Sequence, residues 1–350
     1  MKLKHLILSL AAVGCAPTFA ASTLNLGGYS VSGTYALDLV AGTNGSVSGL
    51  EASAVTYARD RGTLFYVGDE GTGVVEVSRT GQTLGAMSFN WAGTGSTKND
   101  SEGLTYLGGG VLALAEERLQ DVYRFSYTPG GVANLANSFV SISNANVGNS
   151  GIEGISFDAR NGGSFVTVKQ ENPQNILAGS LTFATSTGGL PAKLPSNGAS
   201  PTGGGTSTMS VLFGPASLGV TTLSDVQTLS SVDRLVGTTA ADNLLVLSLG
   251  SRRLVEVDRQ GNVLSFFDLA NVLPHNGIEG VTVDENGVIY LVAEQVQDGS
   301  NLPFDLNPKS QLIVLTPVPE PETFAMLLAG LGLLGVVTRR KKLRAEVVAR

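Results

Sequence analysis

A chain of 350 residues with 42% apolar side chains can bury the core of one large or two ordinary domains. Its net charge of −7 argues against nucleic acid as a partner, because phosphates demand a basic surface. Only 15% of residues are charged while glycine reaches 45 copies, which fits neither helical bundles nor charge-rich disordered chains.

In chain order, Lys2 and Lys4 precede a short apolar run at residues 6–13, and Thr18-Phe19-Ala20 offers a small–x–small cleavage site before Ala21. This predicts a Sec signal peptide over residues 1–20, too short to span a bilayer stably. Ala12-Val13-Gly14-Cys15 is a loose lipobox and a competing reading, in which Cys15 would be lipidated. Cys15 is the only cysteine, so a mature chain without it has no disulfide and no thiol chemistry.

From residue 24 onward, Gly, Ser, Thr and Asn clusters separate runs rich in Val, Ile, Leu and Phe, the pattern of strands and turns. Within that pattern the chain repeats itself. Ser53-Ala54-Val55-Thr56-Tyr57, Glu102-Gly103-Leu104-Thr105-Tyr106, Glu153-Gly154-Ile155-Ser156-Phe157, Gln227-Thr228-Leu229 and Glu279-Gly280-Val281-Thr282-Val283 align as five starts. They recur about every 50 residues, with a wider third interval. After each start come a polar turn, an apolar strand and, in several repeats, a third and fourth strand.

Four antiparallel strands at this period make a β-propeller blade. The expected fold is therefore all-β: a β-propeller over residues 21–316, with five blades. A sixth remains an alternative if the Gly/Pro/Ser/Thr-rich stretch 185–208 hides a degraded blade rather than a surface loop. The last repeat shows three clear strands, ending at residues 311–316. The segment 24–40 is expected to supply its outer strand, closing the ring without an open edge.

Acidic residues recur in register. Glu102, Glu153 and Glu279 share one position, with Ser53 and Gln227 equivalent, and Glu51, Asp100 and Asp225 stand two residues earlier on the same strand face. A second acidic set ends the following strand: Asp69 and Glu70, Glu116 and Glu117, Glu171, Glu294. Equivalent positions of a propeller surround one axis, so these carboxylates are expected to converge on one mouth of the channel. Close carboxylates repel unless a cation intervenes, and an oxygen-only set favours Ca²⁺ or Mg²⁺. Glu102, Glu153 and Glu279 are the candidate ligands of a Ca²⁺ ion, and Glu51, Asp69, Glu117 and Asp225 the candidate contacts to a bound ligand. The alternative is structural: the carboxylate accepts backbone N–H groups of a neighbouring blade, and the glycine permits close approach. His275 is the one histidine of the mature chain and no Gly-x-Ser-x-Gly occurs, so no catalytic set is assigned.

The C-terminus reads Val318-Pro319-Glu320-Pro321-Glu322, then an apolar anchor helix at 324–338, then Arg339-Arg340-Lys341-Lys342. The basic cluster places the tail end in the cytoplasm and the preceding domain outside. At ~1.5 Å per residue the run covers roughly 20 Å, short of the ~30 Å hydrocarbon core. Residues 317–350 resemble the PEP-CTERM sorting signal. That resemblance implies an exosortase partner that cleaves near Pro319, Glu320 and Pro321, in a polysaccharide-producing Gram-negative bacterium. It also implies a precursor held transiently in the inner membrane and a product at the cell surface or in the extracellular matrix. Exopolysaccharide and surface proteins are then the candidate partners.

The blade pattern carries a resemblance of its own. Residues 50–70, Asn99-Asp100-Ser101-Glu102-Gly103-Leu104, Ala115-Glu116-Glu117-Arg118, Leu223-Ser224-Asp225, residues 254–261 and Ile278-Glu279-Gly280 resemble the SdiA-regulated propeller family. The resemblance covers roughly residues 50–315 and implies binding of calcium or a phytate-like ligand rather than a secure enzymatic activity. Asn149-Ser150-Gly151-Ile152-Glu153-Gly154 and Asn276-Gly277-Ile278-Glu279-Gly280 are similar to the phytase-like esterase propellers. The alternative function that this likeness implies is a phytase-like phosphoesterase or another hydrolase.

Overall fold

The structure, a computed structural model, describes residues 23–37, 47–48, 51–143, 145, 147–171, 173–296 and 309–318. The expected signal peptide, Cys15, the Pro319-Glu320-Pro321 motif and the anchor at 324–338 lie outside the described residues. Among the described residues no helix is long and apolar enough to cross a membrane.

Runs such as Thr63–Gly68 and Leu244–Ser248 are mostly apolar because blades pack on both of their faces, so burial does not alternate along them. Outer strands such as Val263–Asp268 alternate toward solvent. Blade 1 runs outward through Ala52–Ala58, Thr63–Gly68, Gly73–Val77 and Thr83–Asn90, with Val132–Asn134 added in parallel at its edge. Blade 2 comprises Ser101–Gly108, Val111–Glu116, Asp121–Ser126 and Phe139–Ser141. Blade 3 comprises Ile152–Asp158, Ser164–Lys169, Asn175–Gly179 and Ser210–Phe213, and blade 4 Leu223–Thr228, Leu244–Ser248, Arg253–Val257 and Val263–Asp268. Blade 5 starts with Ile278–Val283, Ile289–Ala293 and Gln311–Pro317.

The fourth strand of blade 5 is Tyr29–Ala36, paired antiparallel with Gln311–Pro317, so the N-terminal segment closes the ring as its position in the sequence implied. Its lead-in is pinned on blade 4. The buried Glu256 carboxylate accepts the Leu24 N–H at 2.9 and 3.0 Å, the Asn243 amide at 2.9 Å and the Ser265 hydroxyl at 2.9 Å. The stretch 185–208 is not a sixth blade. It belongs to an excursion between the third and fourth strands of blade 3, with a short hairpin of Leu181–Thr182 and Thr206–Ser207. Bridges from Ala184 to Phe139 and from Gly198 to Ser96 lay the excursion against blade 2.

The apolar core divides into clusters that each occupy a gap between neighbouring blades. Phe65, Val67, Leu112 and Leu114 fill the gap between blades 1 and 2, and Val166, Val168, Val246 and Val255 that between blades 3 and 4. Leu24 and Leu26 join Leu245, Leu291 and Ile313 between blades 4 and 5. Each fully buried aliphatic side chain stabilises the ring by about 1.5–3 kcal/mol.

All five inner strands carry a β-bulge at the same place, between residues 52 and 54, 101 and 103, 152 and 154, 223 and 225, and 278 and 280. The residues at the bulges are Ser53, Glu102, Glu153, Ser224 and Glu279. This corrects the alignment of the fourth repeat, in which Ser224 and not Gln227 takes the glutamate position. The glycine that follows is a steric requirement. A Cβ on Gly154 would lie 2.2 Å from Asp225 Oδ1, and one on Gly280 only 2.9 Å from the Ala54 Cα and the Ser53 carbonyl oxygen.

An inner strand pairs with its own blade along one edge only, which leaves N–H groups on the other edge to be satisfied. Side-chain hydroxyls of the preceding blade do so. Thr56 accepts the Tyr106 N–H at 3.0 Å, Thr105 that of Phe157 at 2.9 Å, Ser156 that of Thr228 at 3.0 Å, and Thr282 that of Tyr57 at 3.1 Å. Thr105→Val keeps the shape and removes the acceptor. It is expected to cost about 1 kcal/mol, the loss of one partly buried hydrogen bond. Urea denaturation should show a lower midpoint with an unchanged slope, and an unshifted midpoint would remove the hydroxyls from the account of ring stability.

Candidate functional site

The bulges aim one end of each inner strand at the channel, and the acidic residues gather there unevenly. In blade 1, Asp69 donates its N–H to the Glu51 carbonyl; in blade 2, Glu117 donates to Asp100; in blade 5, Glu294 donates to Gly277. The matching pairs in blades 3 and 4 are Gln170 with Gly151 and Leu249 with Thr222. Blades 5, 1, 2 and 3 thus line the mouth with carboxylates, while blade 4 offers Thr222, Ser224 and Leu249.

Two sets of carboxylates bring their oxygens within 4.8 Å of one another: Glu51, Asp69 and Glu70, and Asp69, Asp100 and Glu102. Asp69 belongs to both. Asp69 Oδ1 and Glu70 Oε2 are buried without a hydrogen-bond partner, while Glu70 Oε1 accepts the Ser48 hydroxyl at 2.7 Å. Asp100 is ion-paired with Arg118.

The sequence-derived candidates divide accordingly. Glu102, Glu153 and Glu279 converge closely enough for their charges to act on one another, but Glu102 keeps its tight company with Asp69 and Asp100. Glu153 is hydrogen-bonded to Glu117, and Glu279 to Glu294. Glu117 also accepts the Gly151 N–H at 3.1 Å, and a Cβ at Gly151 would lie 1.9 Å from the Glu117 carbonyl oxygen. Asp225 is placed differently. It follows the bulge, and its two oxygens accept the backbone N–H groups of Val226 and Val281, each at 2.7 Å, joining blade 4 to blade 5. Of the second acidic set, Glu116 turns away from the mouth to accept the Leu119 N–H and the Ser96 hydroxyl, and Glu171 is exposed.

Burial is the largest cause of altered acidity throughout. It raises Glu102 well above the usual carboxyl range, helped by Glu153 and Glu279; Glu153, helped by Glu117; and Glu279, helped by Glu294. Asp69 is pushed up to about 8 by burial and by Glu51. Glu117 and Glu294 are pushed up to about 7 by burial, with Asp100 adding to the first and Glu51 to the second. At neutral pH the metal-free mouth therefore holds protons or suffers repulsion.

The aligned repeats display one signal that the acidic pattern overshadowed. A hydroxyl followed by an aromatic closes three starts, as Thr56-Tyr57, Thr105-Tyr106 and Ser156-Phe157. The hydroxyls bind the blades together, and the rings line the far end of the channel.

The raised carboxyls set a pH dependence. In the unfolded chain they ionise near pH 4, whereas folded Asp69, Glu117 and Glu294 ionise near 7 to 8. Between those limits the folded state holds protons that the unfolded chain has lost, so stability present at low pH declines as pH rises. The melting temperature of the metal-free protein is expected to be several degrees lower at pH 8 than at pH 5. A profile that rises or stays flat over that interval would mean that the carboxylates are already paired.

The SdiA-regulated family matches residues 34–296, which takes in all five inner strands, and the PEP-CTERM protein-sorting motif matches residues 317–342. Among solved structures the chain is similar to a glutaminyl cyclase of Myxococcus xanthus, at 13% identity over 83% of this chain and 97% of that one, with a TM-score of 0.46. It is also similar to a PQQ-bound aldose sugar dehydrogenase of Streptomyces coelicolor, at 12% identity over 82% and 98% of the two chains, with a TM-score of 0.44. Likenesses this distant carry no argument about chemistry. The five-bladed ring, its bulged inner strands and the extent of the match together make this chain a member of the SdiA-regulated family, with a PEP-CTERM sorting motif at its C-terminus.

Proposed function

We propose that the protein is an exosortase-sorted surface propeller that holds a divalent cation, Ca²⁺ foremost, in its acidic mouth and binds a ligand there through that ion. The observation that carries the reading is the pair of carboxylate sets joined at Asp69, with Asp69 Oδ1 and Glu70 Oε2 buried and unpartnered. Only oxygens are offered, from Glu51, Asp69, Glu70, Asp100 and Glu102, and the arrangement is irregular. Ca²⁺ accepts six to eight oxygens in flexible geometry, whereas zinc and copper favour nitrogen or sulfur. The phosphoesterase alternative requires cations around a phosphoryl group. Arg118 is engaged by Asp100, and Arg252 by the carbonyls of Val272, Leu273 and Asn276, so neither supports it.

A cation that binds only the folded state stabilises it by roughly 2.7 kcal/mol at a hundredfold excess over its dissociation constant. Calcium added to the chelator-stripped protein at pH 7.5 is therefore expected to raise the melting temperature by about 5 °C or more. It should also release protons in a calorimetric titration. Asp69→Asn, which touches both carboxylate sets, should weaken binding at least about tenfold, a loss of ~1.4 kcal/mol. Absence of both heat and thermal shift at millimolar calcium would reject the site.

Sorting has its own test. The PEP-CTERM match supports cleavage close to Pro319-Glu320-Pro321, just past the final strand of blade 5. In the native host, mass spectrometry of the surface pool is expected to find chains that end near residue 321. Surface-exposed chains that retain Arg350 would contradict this.

A further inference from the structure

The inner strands have a second end. Four residues beyond the bulges, ~13 Å along each strand, the channel opens on its other side into a bowl of about 740 Å³. The bowl continues inward into a space of about 70 Å³ that reaches the Thr56, Thr105 and Thr282 hydroxyls. Its wall carries Tyr57, Tyr106 and Phe157, which occupy the same position in blades 1, 2 and 3.

Each ring is braced from behind. Tyr57 stacks on Tyr290 at 6.4 Å, Tyr106 on Phe65 at 6.0 Å, and Phe157 leans on Phe165 at 5.0 Å. The aromatic wall is thus fixed before any ligand arrives. The cations at the rim are already neutralised: Arg59 is paired with Asp233 at 2.8 Å, and Arg160 with Asp158 at 2.6 Å and Asp242 at 2.9 Å. Asp60 accepts the Tyr106 hydroxyl at 3.0 Å and the Gly109 N–H at 3.2 Å on Oδ2, which leaves Oδ1 to accept another donor. With Ser230 and Ser231 on the same rim, the bowl offers apolar faces and hydroxyl-matching groups, and among the described residues that line it both arginines are already ion-paired.

A ligand that suits this surface is uncharged, rich in hydroxyls and apolar on its ring faces, and a size of 740 Å³ is within the range of small-ligand sites. We propose that the bowl binds a neutral oligosaccharide, its sugar rings against Tyr106 and Phe157 and its hydroxyls bonded to Asp60 and the serine rim. The fixed rings reduce the ordering cost of binding, and each aromatic face removes C–H surface from water. This site shares no residue with the acidic mouth.

The full mature protein is tested by saturation-transfer NMR and calorimetry against cellohexaose, maltohexaose and mannohexaose, with an oligogalacturonate as the charged comparator. At least one neutral hexaose is expected to bind, with transfer to its ring C–H protons and no change after chelation of calcium. Ala159→Trp, at an exposed position on the bowl, fills the cavity without removing any packing. It should raise the dissociation constant at least tenfold, and Asp60→Asn should do so severalfold. Failure of all three neutral sugars to bind at about 10 mM would overturn the proposal. Binding of the oligogalacturonate alone, or binding that survives both substitutions and vanishes on chelation, would overturn it equally.

Discussion

Each inner strand is hydrogen-bonded to its own blade on one side and has no strand of its own blade on the other. In an open sheet such an edge would face water or pair with another chain. Here it faces the preceding blade, and a side chain of that blade supplies the acceptor. Thr56, Thr105, Ser156 and Thr282 do this from one blade to the next, and Asp225 does it with a carboxylate between blades 4 and 5. The apolar clusters then fill what lies outside this inner ring. Without the cross-blade bonds, those clusters would close over unsatisfied amides.

The same close approach creates the electrostatic problem at the acidic end. A bulge turns one side chain per blade into the channel, and the next residue must be small because the neighbouring backbone is already there. Glutamate followed by glycine meets both demands in blades 2, 3 and 5. Blade 4 reverses the logic: Ser224 takes the bulge, and Asp225 fills the space that Gly154 vacates. The charge is therefore lopsided around the axis and heaviest at blades 1 and 2, where Asp69 joins two carboxylate sets.

Much of this could be read from the sequence, for identifiable reasons. The period of about 50 residues and the repeated Glu-Gly reported blade count and register because bulge and close packing recur in each blade. Blade 4 broke the pattern: with Ser224-Asp225 in place of Glu-Gly, the alignment slid three residues to Gln227. The convergence of Glu102, Glu153 and Glu279 followed from ring geometry alone. The second acidic set was expected at the same mouth, but not which of its members would pair with which glutamate, because Asp69, Glu117 and Glu294 come from the connection after the second strand, whose course no periodicity fixes. The excursion near residues 185–208 was legible as irregular but not as a cover for blade 2, since its contacts are isolated backbone bridges and single hydroxyl bonds such as Ser200 to Asp121, which follow no periodicity.

The seam of the ring has a mechanical meaning. Tyr29–Ala36 and Gln311–Pro317 lie side by side, with Tyr29 opposite Pro317, and the Val318 N–H reaches the Gly28 carbonyl at 2.7 Å. The C-terminal end of the described chain therefore leaves the propeller at blade 5, while the N-terminal lead-in continues onto blade 4. A pull on the C-terminal tail acts along a strand held on both edges, by Tyr29–Ala36 on one side and Ile289–Ala293 on the other. Its hydrogen bonds resist such force together, in shear, rather than peeling one at a time. A propeller hung from a membrane by that tail would bear tension through a strand held on both edges, and the tail would leave from the end of blade 5 that faces the bowl, where Leu315 lies beside Ile289 and Ile289 beside Val283.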